Sequence, residues 1–244
     1  MERPMILVVH NQKGGVGKTT TALHLAAALA MGGQTACLID ADAQGNATQG
    51  LGLDPRPAVA EWILEGQWEP VTARTRLDVL PGGPTAQRWW ETAGQDVVAE
   101  RFRQIPLTYD WIVVDTAPAH STWIAGLLRV AHGIIVPVDL SFYSLAGVAD
   151  VLGRVPPGRL IGLLPVRYDL RTRRSIEMLD ALKRIAGARV APPIRQCVDL
   201  DRAAQAGRTI WEWAPHATAA EDYLTCVEWM VTHIAETRHP AGRR

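Results

Sequence analysis

Two lysines lie five residues apart in a glycine-rich segment near the start of the chain. The segment, residues 11–20, reads NQKGGVGKTT and contains Lys13 and Lys18. It follows an apolar run at residues 5–10 and precedes residues 20–31, whose apolar side chains have helical spacing. A strand, a glycine-rich turn, Lys-Thr and a helix together form the arrangement in which backbone N–H groups surround phosphate oxygens. We therefore predict a nucleotide phosphate site at this loop.

Each residue type in the loop suits this chemistry. Glycine lets the backbone turn its N–H groups toward phosphate, and the following helix presents unpaired amides and a positive dipole end. Lys18 is expected to reach the β- and γ-phosphates, and the Thr19 hydroxyl is expected to ligate Mg²⁺. The predicted nucleotide-binding residues of the loop are Lys13, Gly14, Gly15, Val16, Gly17, Lys18, Thr19 and Thr20.

Lysine is rare in this chain, which makes its use in the loop informative. Of 25 basic residues only three are lysine, namely Lys13, Lys18 and Lys183. Lysine is a compact point charge, whereas arginine is a wide planar fork. Two of the three lysines share one loop, which indicates that this loop needs the compact cation.

Carboxylates end two of the later apolar runs. Residues 35–40 read TACLID, so Asp40 ends this run and Asp42 follows two residues later, on the same side of an extended chain. Residues 111–115 read WIVVD and end in Asp115. The carboxyl ends of parallel strands face the nucleotide crevice. We therefore expect Asp115 beside the metal, through a bridging water.

The elements that position these residues alternate along the chain. Three further strands are predicted at residues 77–80, 133–138 and 160–164, and further helices at 85–104, 122–131, 145–155, 174–186 and 217–236. Strands that alternate with helices favour an α/β fold, with a mostly parallel twisted sheet and helices on both faces. No repeat or long linker interrupts the pattern, so we expect residues 1–244 to form a single domain.

Composition excludes several classes of protein. The formal net charge is zero, so the whole molecule is not a strongly basic nucleic-acid binder. No run of about 18 uncharged apolar residues is present, and residues 1–4 lack a signal-peptide pattern. The three cysteines are too widely spaced for a metal or redox pair. We expect a cytoplasmic protein without a membrane partner.

The loop KGGVGKTT resembles the deviant Walker A motif of the ParA/MinD superfamily of ATPases, and most closely that of ParA (Soj-like) partitioning proteins. Gln12 stands where a general P-loop has glycine. In this superfamily the first lysine, matched by Lys13, reaches across a dimer to the partner's nucleotide. The resemblance therefore implies a P-loop NTPase fold of the deviant Walker A type. It also implies ATP and Mg²⁺ as cofactors, ATP-dependent homodimerisation and slow hydrolysis of ATP to ADP and phosphate.

Further segments carry the same resemblance, which runs from residue 5 to about residue 223. Residues 40–48, DADAQGNAT, are similar to the D-x-D-P-Q-G-N-A-T segment of ParA proteins. This similarity implies that Asp42 helps to activate the attacking water and that Asp40 supports the surroundings of Mg²⁺. With Lys13, these are the implied catalytic residues. Residues 165–168 match the place where relatives hold adenine, which implies a role for Pro165 and Tyr168.

Positive charge is concentrated late in the chain. Residues 151–208 contain twelve basic and five acidic residues, an excess of seven positive charges in a neutral protein. Such a cluster is either a solvated face or a surface for DNA phosphates. By resemblance to ParA proteins, the predicted DNA-binding residues are Arg171, Arg173, Arg174, Arg195 and Arg202. Gln196, His216 and Thr218 stand where relatives carry arginine, so DNA binding could be weak or take another route.

The function that this pattern favours is a ParA-like ATPase. Its ATP dimer would bind double-stranded DNA without sequence preference on the nucleoid. A ParB-like activator would release the dimer as a cargo is partitioned or positioned. The alternatives are a MinD-like membrane-surface switch, disfavoured because residues 232–244 offer no apolar helix face, and a protein-scaffold positioning ATPase without DNA binding. A redox relative such as the nitrogenase iron protein would need paired cysteines. Only residues 1–4 precede the first strand, so we expect no N-terminal DNA-reading domain.

Overall fold

One mostly parallel sheet organises the chain. The computed structural model describes residues 3–84, 93–118, 122–140, 152–153, 155–156 and 158–238. Its strands are β1 Met5–Val9, β2 Ala36–Ala41, β3 Val71–Arg74, β4 Leu77–Leu80, β5 Trp111–Thr116, β6 Gly133–Asp139 and β7 Leu160–Val166. Across the described residues they lie in the order β3-β4-β2-β5-β1-β6-β7. Only the β3–β4 pair is antiparallel, so the predicted fold class is confirmed.

Helices connect the strands and cover both faces of the sheet. They are α1 Lys18–Met31, α2 Asn46–Gly50, α3 Ala58–Glu65, α4 Gln95–Arg103, α5 Thr122–Val130, α6 Arg173–Ala186, α7 Asp199–Gln205, α8 Ile210–Trp213 and α9 Thr218–Arg238. A 3₁₀ turn at Gly187–Arg189 follows α6. In the part of the chain that the structure describes, no helix has the length and apolar character needed to cross a bilayer.

The predicted strands are all present, and the main differences concern short elements. The strand β3 was missed because Thr72 and Arg74 interrupt any apolar run, and the short helices α2, α3, α7 and α8 were missed as well. Of the helix predicted at 85–104, the structure shows α4, and residues 85–92 lie outside the described residues. Most of the helix predicted at 145–155 also lies outside them. The single-domain organisation of residues 1–244 stays a prediction.

The central strand β1 shows how the sequence builds two cores. Side chains alternate across a strand, so Met5, Leu7 and Val9 pack with α1 and α9 on one face. Ile6 and Val8 pack with α3, α5 and other elements on the opposite face. Each such aliphatic side chain stabilises the fold by roughly 1.5–3 kcal/mol when fully buried. The continuous apolar run of β1 therefore follows from a strand that is buried on both faces.

A buried histidine joins α1 to the C-terminal part of the chain. The Nε2 atom of His24 is 3.1 Å from the amide nitrogen of Ile210, which can only donate a hydrogen bond. Nδ1 therefore carries the proton and donates to the carbonyl oxygen of Thr20 at 2.7 Å. The ring also stacks on Tyr223 with centroids 4.8 Å apart. Burial lowers the pKa of His24 to about 4, so the ring is neutral when the protein is folded.

This neutral ring predicts a loss of stability in mild acid. The pKa of His24 is about 4 when folded and roughly 6.5 when unfolded. The unfolded chain therefore gains a proton as pH falls below about 6.5 while the folded chain does not. Between pH 7.5 and pH 5 this should remove about 2 kcal/mol from the free energy of unfolding.

Urea unfolding of the wild type and of His24→Gln at both pH values measures this contribution. His24→Gln should be less stable at pH 7.5 and should lose about 2 kcal/mol less on acidification. The exposed His216 provides the control, since His216→Gln should follow the wild type at both pH values. Equal acid sensitivity of His24→Gln and wild type would contradict a buried neutral ring.

Candidate nucleotide-binding site

The strand register brings the predicted site residues to one edge of the sheet. Val9, the last residue of β1, pairs with Asp115 of β5, and Asp115 also pairs with Asp40 of β2. The glycine loop begins directly after β1, so it rises from the same level as the two carboxylates. The carboxyl ends of these parallel strands therefore form a crevice between the loop and the acids, as predicted.

The loop ends in a left-handed glycine that starts α1. Gly17 has φ of 78° and occupies the N-cap position of the helix, a conformation that L side chains rarely adopt. The helix consequently begins at Lys18, two residues before the predicted start. Its first turn contains no acidic residue, so the positive end of the helix dipole is available to an anion.

Lys18 is turned inward and buried in the loop. Its Nζ atom donates to the carbonyl oxygen of Lys13 at 2.8 Å. Burial lowers the pKa of Lys18, and the carboxylates of Asp115 and Asp42 oppose this shift. An ammonium group has three donors, so one can hold the loop while others bind a phosphate. Gly14 and Gly15 lie exposed at the rim of the loop.

Asn11 supports the loop from below, and the sequence analysis did not single it out. This fully buried side chain donates from Nδ2 to the carbonyl oxygen of Pro137 in β6 at 2.7 Å. Its Oδ1 atom accepts a hydrogen bond from the Lys13 amide at 3.0 Å. The side chain thereby ties the start of the loop to the neighbouring strand. A small polar residue two positions after the fully apolar β1 was the available signal.

Asp40 holds the turn that follows β2. Its buried Oδ2 atom accepts hydrogen bonds from the Thr48 amide at 2.8 Å and from the Thr48 hydroxyl at 2.6 Å. Burial raises the pKa of Asp40 to about 6, and the Thr48 hydrogen bonds oppose the shift. One carboxylate oxygen is thus committed to Thr48, a residue that the sequence analysis did not identify. In this structure Asp40 positions residues 42–48.

Asp42 lies closer to solvent than Asp40. It is partly buried, and its Oδ1 atom accepts a hydrogen bond from the Gln44 amide at 2.9 Å. It is also near enough to Lys18 to raise the pKa of that ammonium. Its carboxylate therefore lies near the Lys18 ammonium at the mouth of the crevice.

Asp115 fits a role beside a cation. Both carboxylate oxygens are buried, and neither has a partner in hydrogen-bond geometry among the described residues. Burial and then the neighbouring Asp40 carboxylate raise the pKa of Asp115, while the Thr19 hydroxyl and Lys18 lower it. Buried carboxylate oxygens of this kind suit a hard, hydrated cation. The described residues contain no group of three or more His, Cys, Asp or Glu side chains that could hold a metal ion.

A cavity of about 110 Å³ opens beside the loop. Its lining includes Gly17, Thr20, Val166, Arg167, Ile194, Gln196, Cys197, Leu200 and Tyr223. Pro165 and Tyr168, the predicted adenine residues, bracket Val166 and Arg167 in the chain but do not line this cavity. The Arg167 backbone is left-handed at φ of 55°, and its Nη1 atom donates to the buried Asp139 carboxylate at 2.7 Å. Sequence patterns did not reveal this lining, since distant segments form it.

The five predicted DNA-binding arginines differ in how freely their charge is presented. Arg195 donates to Asp222 at distances down to 2.6 Å and to Glu221 at 3.1 Å, and hydrogen bonds to Asp222 raise its pKa. The exposed side chains of three others form single ion pairs, Arg171 with Asp169, Arg173 with Glu177 and Arg202 with Asp199. Arg174 is exposed and has no ion pair within the described ranges. Arg195 is therefore neutralised, whereas Arg173 and Arg174 remain accessible.

Sequence comparisons agree with this geometry. The family model for the CobQ/CobB/MinD/ParA nucleotide binding domain matches residues 7–210. The chain is 34% identical to the chromosome-partitioning ATPase Soj of Thermus thermophilus, over 94% of this chain and 96% of that protein. It is 31% identical to the sporulation initiation inhibitor protein Soj of Bacillus subtilis, over 90% of this chain and 95% of that protein.

Solved structures share the fold. An ATP complex of McdA from Cyanothece superposes with a TM-score of 0.81 at 20% identity, covering 96% of this chain and 98% of that one. The septum site-determining protein MinD of Pyrococcus horikoshii, complexed with Mg-ADP, gives a TM-score of 0.79 at 19% identity. That match covers 92% of this chain and 95% of MinD.

Gly82 provides a test of how the turn after β2 is held. Its amide donates to the Thr48 hydroxyl at 3.2 Å, and an added Cβ would lie 2.3 Å from the Asp40 carbonyl oxygen. Gly82→Ala should therefore displace Asp40, with an overpacking cost of about 1–3 kcal/mol and weaker nucleotide binding. Gly94, where a Cβ would meet nothing within 4 Å, supplies the control Gly94→Ala. Urea unfolding and a fluorescent-nucleotide titration measure both effects, and wild-type values for Gly82→Ala would contradict the packing described here.

Proposed function

The chain belongs to the CobQ/CobB/MinD/ParA nucleotide-binding domain family, and on this premise we propose that it is an ATP-driven partitioning or positioning switch. Its similarity to Soj proteins extends over nearly the whole length of both chains. The observation that carries the proposal is the loop itself, in which Lys18 is buried near the carboxylates of Asp115 and Asp42 while Lys13 is only partly buried.

The site residues divide the work of binding and hydrolysis. Lys18 and the first amides of α1 hold the β- and γ-phosphates of ATP. The Thr19 hydroxyl and, through a bridging water, Asp115 would hold Mg²⁺, which when bound would neutralise charge on the phosphates. Asp42 orients the attacking water, and Asp40 keeps the turn bearing Asp42 in place through Thr48. Hydrolysis gives ADP and phosphate, with slow turnover until an activator acts.

Lys13 connects nucleotide binding to dimerisation. Its backbone is fixed on both sides, because its amide donates to Asn11 and its carbonyl oxygen accepts from Lys18. The side chain is partly buried. Since Lys18 already serves the nucleotide of its own chain, we infer that Lys13 serves the nucleotide of a second copy. ATP thereby assembles a homodimer.

Removal of the Lys13 side chain should separate dimerisation from nucleotide binding. With ATP and Mg²⁺, wild type should shift from monomer to dimer in sedimentation velocity, and Lys13→Ala should remain monomeric while it still binds ADP. Lys183→Ala removes the one lysine outside the loop and should dimerise normally. A Lys13→Ala protein that dimerises as well as wild type would rule out the cross-dimer role.

The ATP dimer is proposed to bind double-stranded DNA without sequence preference, and so to associate with the nucleoid in the cytoplasm. Arg173 and Arg174 begin α6 and are exposed. The exposed ion pair of Arg173 is worth roughly 0–1 kcal/mol, so phosphate can replace Glu177. Pairing two chains doubles the contacts, which favours DNA binding by the dimer over the monomer. A ParB-like protein would be the activator that releases it.

Charge reversal on α6 tests this route. Arg174→Glu should weaken ATP-dependent binding to random duplex DNA and lower the salt dependence by roughly one phosphate contact per chain. Arg184→Glu, at the other end of the same helix, should have a much smaller effect. Arg195→Ala should instead lower stability, since it leaves the buried Asp222 carboxylate unpaired. An ATP dimer that does not bind DNA even at low salt would favour the alternative of a protein-scaffold positioning ATPase.

A further inference from the structure

A second cavity lies at the opposite edge of the sheet from the nucleotide loop. Its volume is about 230 Å³, and its lining combines Pro4, Ile6, Phe102, Ile105, Val130 and His132 with the arginines Arg3, Arg103, Arg129 and Arg159. Arg3 precedes β1, His132 precedes β6 and Arg159 precedes β7. The amino ends of the strands therefore deliver these residues to one place. None of this was apparent from the sequence, because the arginines are up to 156 positions apart.

The lining is strongly cationic and contains no carboxylate among the described residues. Arg3 and Arg159 make no ion pair within the described part of the chain. Arg103 pairs with Glu100 at 3.2 Å and Arg129 with Asp96 at 3.4 Å, and both pairs are exposed. Exposed pairs of this kind contribute little, so an incoming anion can displace them.

Helix ends explain only part of this cluster. Arg103 and Arg129 lie in the last turns of α4 and α5, where a cation is favoured by the negative end of the helix dipole. Arg3 and Arg159 belong to no helix, so the dipole gives no reason for their convergence on the same cavity. Below them Ile6, Phe102 and Ile105 form a buried apolar floor, which places the positive charge over a region of low dielectric constant.

The wall of the cavity is held in a defined geometry. The Nδ1 atom of His132 accepts a hydrogen bond from the Ile6 amide at 3.0 Å, which fixes the ring beside the first residues of β1. The backbone of Arg159 is fixed as well, because its carbonyl oxygen accepts from Ile134 at 2.8 Å and its amide donates to Pro156 at 3.1 Å. The cavity is therefore built from strand ends, which hold their positions better than free loops.

We propose that this cavity, lined by Arg3, Arg103, Arg129 and Arg159, binds a small anion that carries two or three phosphate groups. Several guanidinium forks at one site suit phosphate oxygens, which they bind through paired, charge-assisted hydrogen bonds. The volume of about 230 Å³ is below the roughly 300–1,000 Å³ typical of sites for drug-sized ligands. A pyrophosphate- or triphosphate-sized group fits better than a whole nucleotide. The site is separate from the nucleotide loop, and it does not depend on the proposed function.

Calorimetric titration with sodium tripolyphosphate tests the proposal. Because the loop also binds phosphates, the titration uses Lys18→Ala protein, in which the loop is disabled, and wild type saturated with ADP and Mg²⁺. One site per chain is expected in both. Arg129→Ala combined with Arg159→Ala should weaken this binding by about tenfold or more, since hydrogen bonds to charged groups are lost. Inorganic pyrophosphate is the second probe.

Arg184→Ala is the matched control. Arg184 lies in the last turn of α6, as Arg129 does in α5, but it does not line the cavity. Its loss should change affinity by less than about twofold, as expected for a distant exposed charge. Equal weakening by Arg184→Ala would mean that general charge attracts the anion, and would overturn the site. Unchanged tripolyphosphate binding in the double variant would also overturn the site. If that variant lost duplex DNA binding as well, the arginines would belong to a DNA surface instead.

Discussion

Two carboxylates buried side by side on neighbouring strands govern the architecture of the site. Asp40 and Asp115 occupy paired positions on β2 and β5, and burial raises the pKa of both. Such groups are stable only with hydrogen bonds or cations nearby. Thr48 supplies two hydrogen bonds to Asp40, and the charge of Lys18 favours ionised Asp115. The hydrogen bonds of the turn after β2, the lysine of the loop after β1 and the need for a metal ion each compensate the buried negative charge of this pair.

The sequence was sufficient to predict the fold class and which side chains gather at the carboxyl ends of β1, β2 and β5. The apolar runs of β1 and β5 marked buried strands, and the acids and lysines at their ends marked the crevice, because strand ends and side-chain types are local properties. Asn11 and Arg167 escaped prediction because their partners lie in β6, far away in the sequence. Thr48 escaped prediction because its hydrogen bonds to Asp40 form only when the turn after β2 folds back. Arg195 looked like a surface charge until the structure brought Asp222 against it. Tertiary packing decides which charged residues pair with each other, and the periodicity of the sequence does not reveal these pairs.

Although the formal net charge is zero, arginines are concentrated in two regions at opposite ends of the strands. Arg173 and Arg174 follow the carboxyl end of β7, on the side of the sheet that carries the nucleotide loop. The cavity lined by Arg3 and Arg159 lies at the amino ends of the strands. The two cationic regions are separated by the length of the sheet, roughly 17–20 Å for a strand of five or six residues. Ligands at the two ends would act on the molecule independently unless the rigid β1, which runs from one to the other, transmits strain between them.

The hydrogen bond from Lys18 to the Lys13 carbonyl oxygen also bears on nucleotide exchange. A buried ammonium that loses a phosphate must find another acceptor or remain unsolvated at considerable expense. Here the Lys13 carbonyl oxygen accepts a hydrogen bond from Lys18, so loss of a phosphate would not leave the ammonium without a partner. The acceptor belongs to Lys13, the residue proposed to reach the second copy. A shift of the Lys13 peptide would therefore be felt at Lys18, so one hydrogen bond links the proposed dimer contact to the phosphate-binding group.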